Sequence, residues 1–226
     1  MGYIFETNRI NKIYKLGDGS DFYAIKNVDI NIEEGKLTIL KGRSGSGKTT
    51  LINMLGMLDN PTSGNIFYFG KDATIMKEKE RELIRRYDMG YVFQSVALLP
   101  MMTVYENIEI ALLMAEFKGD KRKRIENLLE MVGLSNRINY MAGRLSGGEQ
   151  QRIGIVRSVA HRPKVVFADE PTGALDTISG IAVMNLFRKL VEEENTSIIM
   201  TTHDENLMEL GDCVFSVMDG ELKYEK

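Results

Sequence analysis

The stretch that decides the fold is GRSGSGKTT, residues 42–50. It fits the pattern G-x-x-x-x-G-K-[ST] from Gly42 to Thr49, and it follows the apolar run LTIL, residues 37–40. Glycines at these positions let the backbone wrap closely around an anion, so that amide N–H groups point at phosphate oxygens. A segment with helical periodicity follows, and the N-terminus of such a helix attracts negative charge. The stretch therefore predicts a phosphate-binding loop between a strand and a helix, which is the context that this pattern requires.

Two side chains of this loop carry chemistry beyond that of the backbone. We expect Lys48 to bridge the β- and γ-phosphates of a nucleoside triphosphate, and the Thr49 hydroxyl to ligate Mg²⁺. The other predicted contacts to the nucleotide come from the rest of the loop, which is Gly42, Arg43, Ser44, Gly45, Ser46, Gly47 and Thr50.

Apolar runs elsewhere predict the strands of a mostly parallel sheet. They lie at residues 37–40, 165–168, 198–200 and 214–218. Helical periodicity between them places three sets of residues on helix faces: Leu51, Leu55 and Leu58; Ile125, Leu128, Leu129 and Val132; Val183, Leu186, Phe187 and Leu190. Alternating strands and helices predict an α/β fold, a P-loop NTPase (RecA-like) core. Residues 1–40 and 63–70 are predicted to add an antiparallel β subdomain, and residues 95–150 an inserted helical lobe, all within one domain of residues 1–226.

Polar side chains follow three of the predicted strands. VVFADE, residues 165–170, ends in Asp169 and Glu170. Ligands of open α/β sheets bind at the carboxyl ends of strands, so we expect Asp169 to hold Mg²⁺ through water and Glu170 to act as general base. His203 follows SIIMTT, residues 197–202, where it can reach a γ-phosphate. Gln94 ends GYVFQ, residues 90–94, and is expected to contact Mg²⁺ or the attacking water.

Composition excludes several classes of protein. The chain has 29 Lys+Arg against 32 Asp+Glu and a formal net charge of −3, so it lacks a basic footprint and no nucleic-acid partner is predicted. The single cysteine excludes an internal disulfide. No apolar run approaches the roughly 18 residues of a membrane span. Charge runs at residues 77–86 and 121–124 are predicted to be solvated helix faces rather than contacts to lipid headgroups.

A second glycine-rich stretch, RLSGGEQQR at residues 144–152, completes a set of motifs that resembles the nucleotide-binding subunits of ATP-binding cassette (ABC) transporters. The resemblance extends over residues 4–221. GRSGSGKTT matches the Walker A motif, and VVFADE matches the Walker B motif with its catalytic glutamate. LSGGEQ at residues 145–150 matches the family's signature motif, and GALD at residues 173–176 matches the D-loop. Gln94 corresponds to the Q-loop and His203 to the switch histidine.

The resemblance implies an ATPase that works as a pair. Two copies would face each other head to tail and hold two Mg-ATP between them. Ser146, Gly147 and Gly148 of one copy would present donors to the γ-phosphate bound by the other, and Asp176 would lie at the interface. Tyr14 resembles the aromatic residue that stacks on adenine in this family, with Tyr23 as the alternative.

Further stretches indicate a branch of the family. GMLDNPTSG, PTGALD and TTHD, residues 56–64, 171–176 and 201–204, look most like macrolide exporters, lipoprotein-release ATPases and pumps for antimicrobial peptides or haem. The implied partner is a separate transmembrane permease, docked in a groove between Ser95 and Ile108, which would hold the chain on the cytoplasmic face of the membrane. A cell-division type of ATPase that transmits force remains an alternative, as does a soluble ATPase of iron–sulfur assembly. Chromosome ATPases are excluded because long heptad arms are absent, and two-cassette translation factors because the chain has one set of motifs.

Overall fold

The structure is a computed structural model that describes residues 2–93 and 98–226, the side chain of Glu205 excepted. Its strands are β1 Tyr3–Lys15, β2 Asp21–Val28, β3 Asn31–Glu33, β4 Leu37–Lys41, β5 Ser63–Tyr68, β6 Lys71–Asp72, β7 Met89–Val92, β8 Val165–Ala168, β9 Ser197–Thr202, β10 Cys213–Met218 and β11 Glu221–Tyr224. Its helices are α1 Lys48–Leu55, α2 Glu78–Asp88, α3 Val104–Met114, α4 Lys121–Met131, α5 Gly147–Val159, α6 Thr177–Glu194 and α7 Glu205–Met208. Two 3₁₀ turns lie at Ser135–Arg137 and Ala142–Arg144.

The central sheet has the order β11-β10-β4-β9-β8-β7, and all its neighbouring strands are parallel except the β10–β11 pair. The four strands predicted from apolar runs are confirmed as β4, β8, β9 and β10. Strands of a parallel sheet are buried on both faces, and β8 shows how. Val165 and Phe167 belong to the apolar cluster on one face, and Val166 and Ala168 to the cluster on the other.

A second sheet is antiparallel, with the order β2-β1-β5-β6 and β3 paired to β1. It confirms the predicted antiparallel subdomain. Together with α1 it covers the face of the central sheet that carries Phe167, whose ring lies 5.8 Å from that of Phe5. Helices α5 and α6 cover the other face, where Ile153, Val156 and Phe187 are fully buried. The phosphate-binding loop therefore connects the central sheet to α1 on the face that carries Phe167.

The described range 98–159 is mainly helical and contains α3, α4, α5 and the two 3₁₀ turns. Thr103 caps α3, and its hydroxyl exchanges hydrogen bonds with Glu106 in a capping box. Asp120 caps α4, whose Ile125, Leu128 and Leu129 are fully buried, as the periodicity predicts. These helices continue the apolar cluster of α5 and α6, so the helical segment is packed on the core.

Two sequence predictions about helices are wrong in detail. Helix α1 ends at Leu55, and Leu58 is 45% exposed rather than on its buried face. The chain leaves the helix because Met57 adopts a left-handed φ of 57°. One arginine in each charge run is buried because backbone carbonyls need its donors: Arg81 donates to the Met57 carbonyl, and Arg124 to those of Val159 and Ala160.

Throughout the described ranges, no helix combines the length and apolarity that a membrane crossing requires.

Candidate active site

The loop between β4 and α1 is shaped by glycines that no other residue could replace without displacement. Gly47 has a φ of 110°, and a Cβ there would lie 2.5 Å from the carbonyl oxygen of Ala24. A Cβ at Gly42 would collide with the carbonyl oxygen of Val217. The left-handed φ and the close approach of neighbouring backbone both require glycine. The loop thus packs against the backbone of β2 and β10. The N-terminus of α1 faces the space that the loop encloses.

Lys48 and Thr49 are already held in place in this loop. The Lys48 ammonium donates to the carbonyls of Gly42 and Arg43, at 2.8 Å and 3.0 Å, and the residue is only 6% exposed. The Thr49 hydroxyl donates to Oδ2 of Asp169 at 2.7 Å. The cation therefore lies beneath the loop that would wrap a phosphate, and the hydroxyl lies beside a carboxylate.

Asp169 is oriented by the neighbouring strand. Its Oδ1 accepts a 2.6 Å hydrogen bond from the Thr201 hydroxyl at the end of β9. The same hydroxyl accepts the backbone N–H of Glu170 at 2.8 Å. Glu170 has a left-handed φ of 48°, so the chain turns sharply after β8 and its carboxylate leaves the strand axis. Oε1 of Glu170 lies 3.6 Å from Nδ1 of His203.

These groups line one cleft of about 500 Å³. Its lining residues are Phe22, Ala24, Gly42, Arg43, Ser44, Gly45, Gly47, Lys48, Thr49, Thr50, Asp169, Glu170 and His203. The structure thus brings together most of the site residues predicted around the phosphate-binding loop. Gln94 and residues 95–97 lie outside the described residues, so the predicted place of Gln94 stays a prediction. Ser46 is buried beneath the loop, where its hydroxyl has no hydrogen-bond partner in the described part of the chain.

Aromatic residues of the β1–β2 hairpin flank the cleft. Tyr14 does not line it, but its hydroxyl donates to Oδ2 of Asp59 at 3.0 Å. Phe22 lines the cleft and lies directly opposite Tyr14 in the β1–β2 register. Tyr23, the alternative to Tyr14, is the next residue of β2 and therefore points to the opposite face of the hairpin. Phe22 was missed by the sequence analysis because its place opposite Tyr14 is set by the strand register, which the sequence does not show.

The second glycine-rich loop is formed at the start of α5. Ser146 is its N-cap: the hydroxyl accepts the Glu149 N–H at 3.3 Å, and the Ser146 N–H donates back to Glu149 at 2.9 Å. The carboxylate of Glu149 also accepts from Arg137 at 2.8 Å, and this arginine holds the pKa of Glu149 below its usual value. Ser146 and Gly147 are exposed, and neither they nor Gly148 lines the cleft of their own chain. The cap hydroxyl and the free amides at this helix N-terminus are therefore available to an anion that is not bound in the cleft of the same chain.

Asp176 is the N-cap of α6. Its carboxylate accepts the N–H and the hydroxyl of Ser179, at 2.9 Å and 2.7 Å, and these hydrogen bonds lower its pKa. Arg152 of α5 donates to the same Ser179 hydroxyl. The D-loop is thus tied to the helix that begins at the signature loop.

The donor set in the cleft suits a divalent cation bound together with phosphates. The Thr49 hydroxyl and the Asp169 carboxylate present oxygen atoms to the same space, and Mg²⁺ prefers a few oxygen ligands from the protein, completed by water and phosphate. In the described ranges, no group of three or more His, Cys, Asp or Glu side chains forms a metal site by itself. The residues present therefore fit a cation that arrives with a nucleotide.

Fold and cleft together define a P-loop nucleoside-triphosphatase. The sequence model of the ABC transporter family matches residues 25–173, and the chain belongs to this family. It is an ATP-binding cassette and an ATPase.

Three comparisons specify the kind of cassette. The chain is 38% identical over 223 residues to the lipoprotein-releasing system ATP-binding protein LolD of Aquifex aeolicus, covering 98% of this chain and 97% of that protein. It is 41% identical over 214 residues to the macrolide export ATP-binding/permease protein MacB of Rhodopirellula baltica, covering 93% of this chain and 31% of that protein. A dimeric post-hydrolysis structure of the cassette MJ0796 of Methanocaldococcus jannaschii, bound to ADP and Pi, superposes with a TM-score of 0.90 at 37% identity over 98% of both chains. The resemblance to the macrolide-export and lipoprotein-release branch is thus confirmed.

Proposed function

We propose that two copies of this chain sandwich two Mg-ATP and drive a separate membrane permease. The observation that carries the proposal is the position of the signature loop. Ser146, Gly147 and Gly148 present phosphate-binding groups, yet they do not line the cleft of their own chain. A second copy placed head to tail would bring this loop to the cleft, and a similar cassette with ADP and Pi is a dimer.

The proposed roles in hydrolysis are supported by the positions of the side chains around the cleft. Lys48 binds the β- and γ-phosphates. Thr49 and Asp169 would hold Mg²⁺, which would neutralise part of the phosphate charge. Glu170 takes the proton of the attacking water. His203, whose Nδ1 lies 3.6 Å from Oε1 of Glu170, contacts the γ-phosphate. Gln94 completes the set at the Mg²⁺ or the attacking water.

At the other end of the site, Tyr14 stacks on adenine and Phe22 flanks the base. Asp176 lies at the interface between the copies, where its connection to α5 links one site to the signature loop that serves the other.

The partner in this proposal is a membrane permease. MacB is named as an ATP-binding/permease protein, and this chain corresponds to 31% of it, whereas it corresponds to 97% of LolD, which is named for ATP binding alone. We place the docking groove between Ser95 and Ile108, of which residues 98–108 are described. Leu99 and Met101 are 47% and 81% exposed there, whereas Val104 and Ile108 are fully buried core. Docking would hold the chain on the cytoplasmic face of the membrane, for efflux or extraction of a peptide, lipoprotein, drug or haem.

Glu170→Gln tests the hydrolytic half of the proposal. The variant keeps the shape of the side chain and loses the basic carboxylate, so ATP hydrolysis should fall by roughly 10²–10⁴-fold. ATP binding should persist, and a dimer should accumulate in ATP but not in ADP, measured by light scattering after gel filtration. Adding Ser146→Arg should abolish that dimer. Near-normal turnover in Glu170→Gln would show that Glu170 is not the general base. An ATP-dependent dimer that still forms with Ser146→Arg would show that the signature loop is not part of the interface.

A further inference from the structure

We propose that Asp59, assisted by Lys12, is a positioning residue for recognition of the nucleotide base, because it fixes the ring of Tyr14 against the helix that carries the phosphate-binding loop. The proposal rests on the proposed function, in which Tyr14 stacks on adenine. It adds a residue outside the cleft that decides how well the protein distinguishes a nucleotide from its phosphates alone.

Both carboxylate oxygens of Asp59 are engaged. Oδ2 accepts the Tyr14 hydroxyl at 3.0 Å. Oδ1 accepts the Lys12 ammonium at 2.6 Å and the backbone N–H of Asn60 at 2.7 Å. A carboxylate that accepts one backbone and two side-chain donors has a fixed orientation, so the phenol bound to it is fixed as well.

Lys12 restrains the ring from a second direction. Its ammonium lies 5.1 Å from the centroid of the Tyr14 ring, within the range of a cation–π contact. The side chain of Lys12 is only 13% exposed, and its ammonium also donates to the Asn60 carbonyl at 2.8 Å. Lys12 therefore covers part of the ring, and Tyr14 as a whole remains 39% exposed.

The anchor is tied to the phosphate-binding loop through α1. Asp59 lies four residues beyond Leu55, the last residue of that helix. Arg81 of α2 holds the loop after α1 by donating to Oδ1 of Asn60 at 2.6 Å and to the Met57 carbonyl at 3.0 Å. The distance between the ring and the phosphate cradle is thus set by one helix and the turn that follows it.

A pre-oriented ring loses less side-chain freedom when a base stacks on it. Ordering one side chain at a binding site weakens binding by roughly two- to tenfold. Loss of the anchor should therefore weaken binding of a nucleotide by about that factor and leave binding of the phosphates unchanged. The burial of the phenol and its hydrogen bond to Asp59, which raise the pKa of Tyr14, agree with this arrangement.

The test compares ADP with inorganic pyrophosphate by titration calorimetry, since ADP is not hydrolysed. The variants are Asp59→Ala, Tyr14→Phe, the double variant and Tyr14→Ala. We expect Asp59→Ala and Tyr14→Phe each to raise the Kd for ADP by roughly two- to tenfold, and the double variant to bind no more weakly than the weaker of the two single variants. Tyr14→Ala should weaken ADP binding at least as much, and the Kd for pyrophosphate should not change. Asp72→Ala is the matched control, since the Asp72 carboxylate also accepts several hydrogen bonds, from Asn65 and Thr74, but none from Tyr14, and the ADP-to-pyrophosphate ratio should stay unchanged.

Three results would overturn the proposal, and they are distinguishable. If Tyr14→Ala weakens ADP binding and Asp59→Ala does not, Tyr14 supports the base without this anchor, and the proposed function stands. If Asp59→Ala weakens ADP and pyrophosphate equally, its role is only to stabilise the fold. If Tyr14→Ala leaves ADP binding unchanged, Tyr14 does not stack on the base, and both its proposed role and the anchor are wrong.

Discussion

Thr201→Val removes one hydroxyl from the end of β9 and keeps the shape of the side chain. That hydroxyl donates to Asp169 at 2.6 Å and accepts the Glu170 N–H at 2.8 Å, and Thr201 is fully buried. Valine would leave an N–H and one carboxylate oxygen without a partner. A buried polar group without its partner costs about 1–3 kcal/mol. Asp169 and Glu170 are only partly buried, so water can replace part of the loss, and we expect unfolding to become easier by about 2 kcal/mol in total.

For a chain of this size, about 2 kcal/mol lowers the midpoint of thermal unfolding by roughly 4–8 °C. The assay is thermal and urea unfolding of the nucleotide-free protein. Thr38→Val is the matched control: Thr38 is fully buried in the adjacent strand β4, and its hydroxyl has no hydrogen-bond partner among the residues that the structure describes. The same substitution there should be neutral or stabilising. If both variants unfold alike, or if Thr201→Val unfolds like the wild type, the assigned hydrogen bonds do not stabilise this site. Turnover of Thr201→Val should also fall, because the carboxylates of Asp169 and Glu170 lose their shared support.

Two further substitutions test surfaces around the cleft. Phe22→Ala should weaken ATP binding by roughly tenfold, because an aromatic contact contributes about 1–1.5 kcal/mol, whereas Tyr23→Ala on the other face of the hairpin should leave ATP binding unchanged. The fluorescence of a bound nucleotide analogue measures both affinities. Equal effects of the two substitutions would show that Phe22 does not belong to the site. Met101→Asp should prevent co-purification with the permease and leave the ATPase rate of the isolated cassette unchanged, whereas Ile75→Asp, at a residue that is likewise about 80% exposed, should leave the complex intact. A complex that survives Met101→Asp would place the docking groove elsewhere.

The sequence predicts the parts of the site that depend on local chemistry. The glycines and Lys48 of the phosphate-binding loop are fixed by their spacing and by the strand and helix on either side. Asp169 and His203 follow strands that contain the apolar runs 165–168 and 198–200, and such runs are typical of the central strands of a parallel sheet. The carboxyl ends of such strands lie at the same edge of the sheet. Their terminal residues therefore come close together, whatever fold the rest of the chain adopts.

The remaining contacts depend on register, which one sequence does not reveal. Thr201 looks like an ordinary β-branched residue until the pairing of Ala168 with Met200 sets it beside Asp169. Phe22 lines the cleft, and its place opposite Tyr14 depends on the irregularities of β1 on either side of Lys12. Buried charges are missed for a similar reason. Arg81 looks solvated in its own segment, and only the fold places the Met57 carbonyl within its reach.

The central claim is that each ATP is bound by the phosphate loop of one copy and the signature loop of the other. The measurement is the number of Mg-ATP occluded per dimer in a Glu170→Gln background, for two mixed dimers. In the first, one subunit carries Lys48→Ala and the other Ser146→Arg, so that head-to-tail sharing puts both lesions in one site and leaves the second intact. In the second, one subunit carries both changes and its partner neither, so that sharing leaves no intact site. We predict about one nucleotide in the first dimer and almost none in the second; the reverse would show that each chain binds its own nucleotide and would contradict the account.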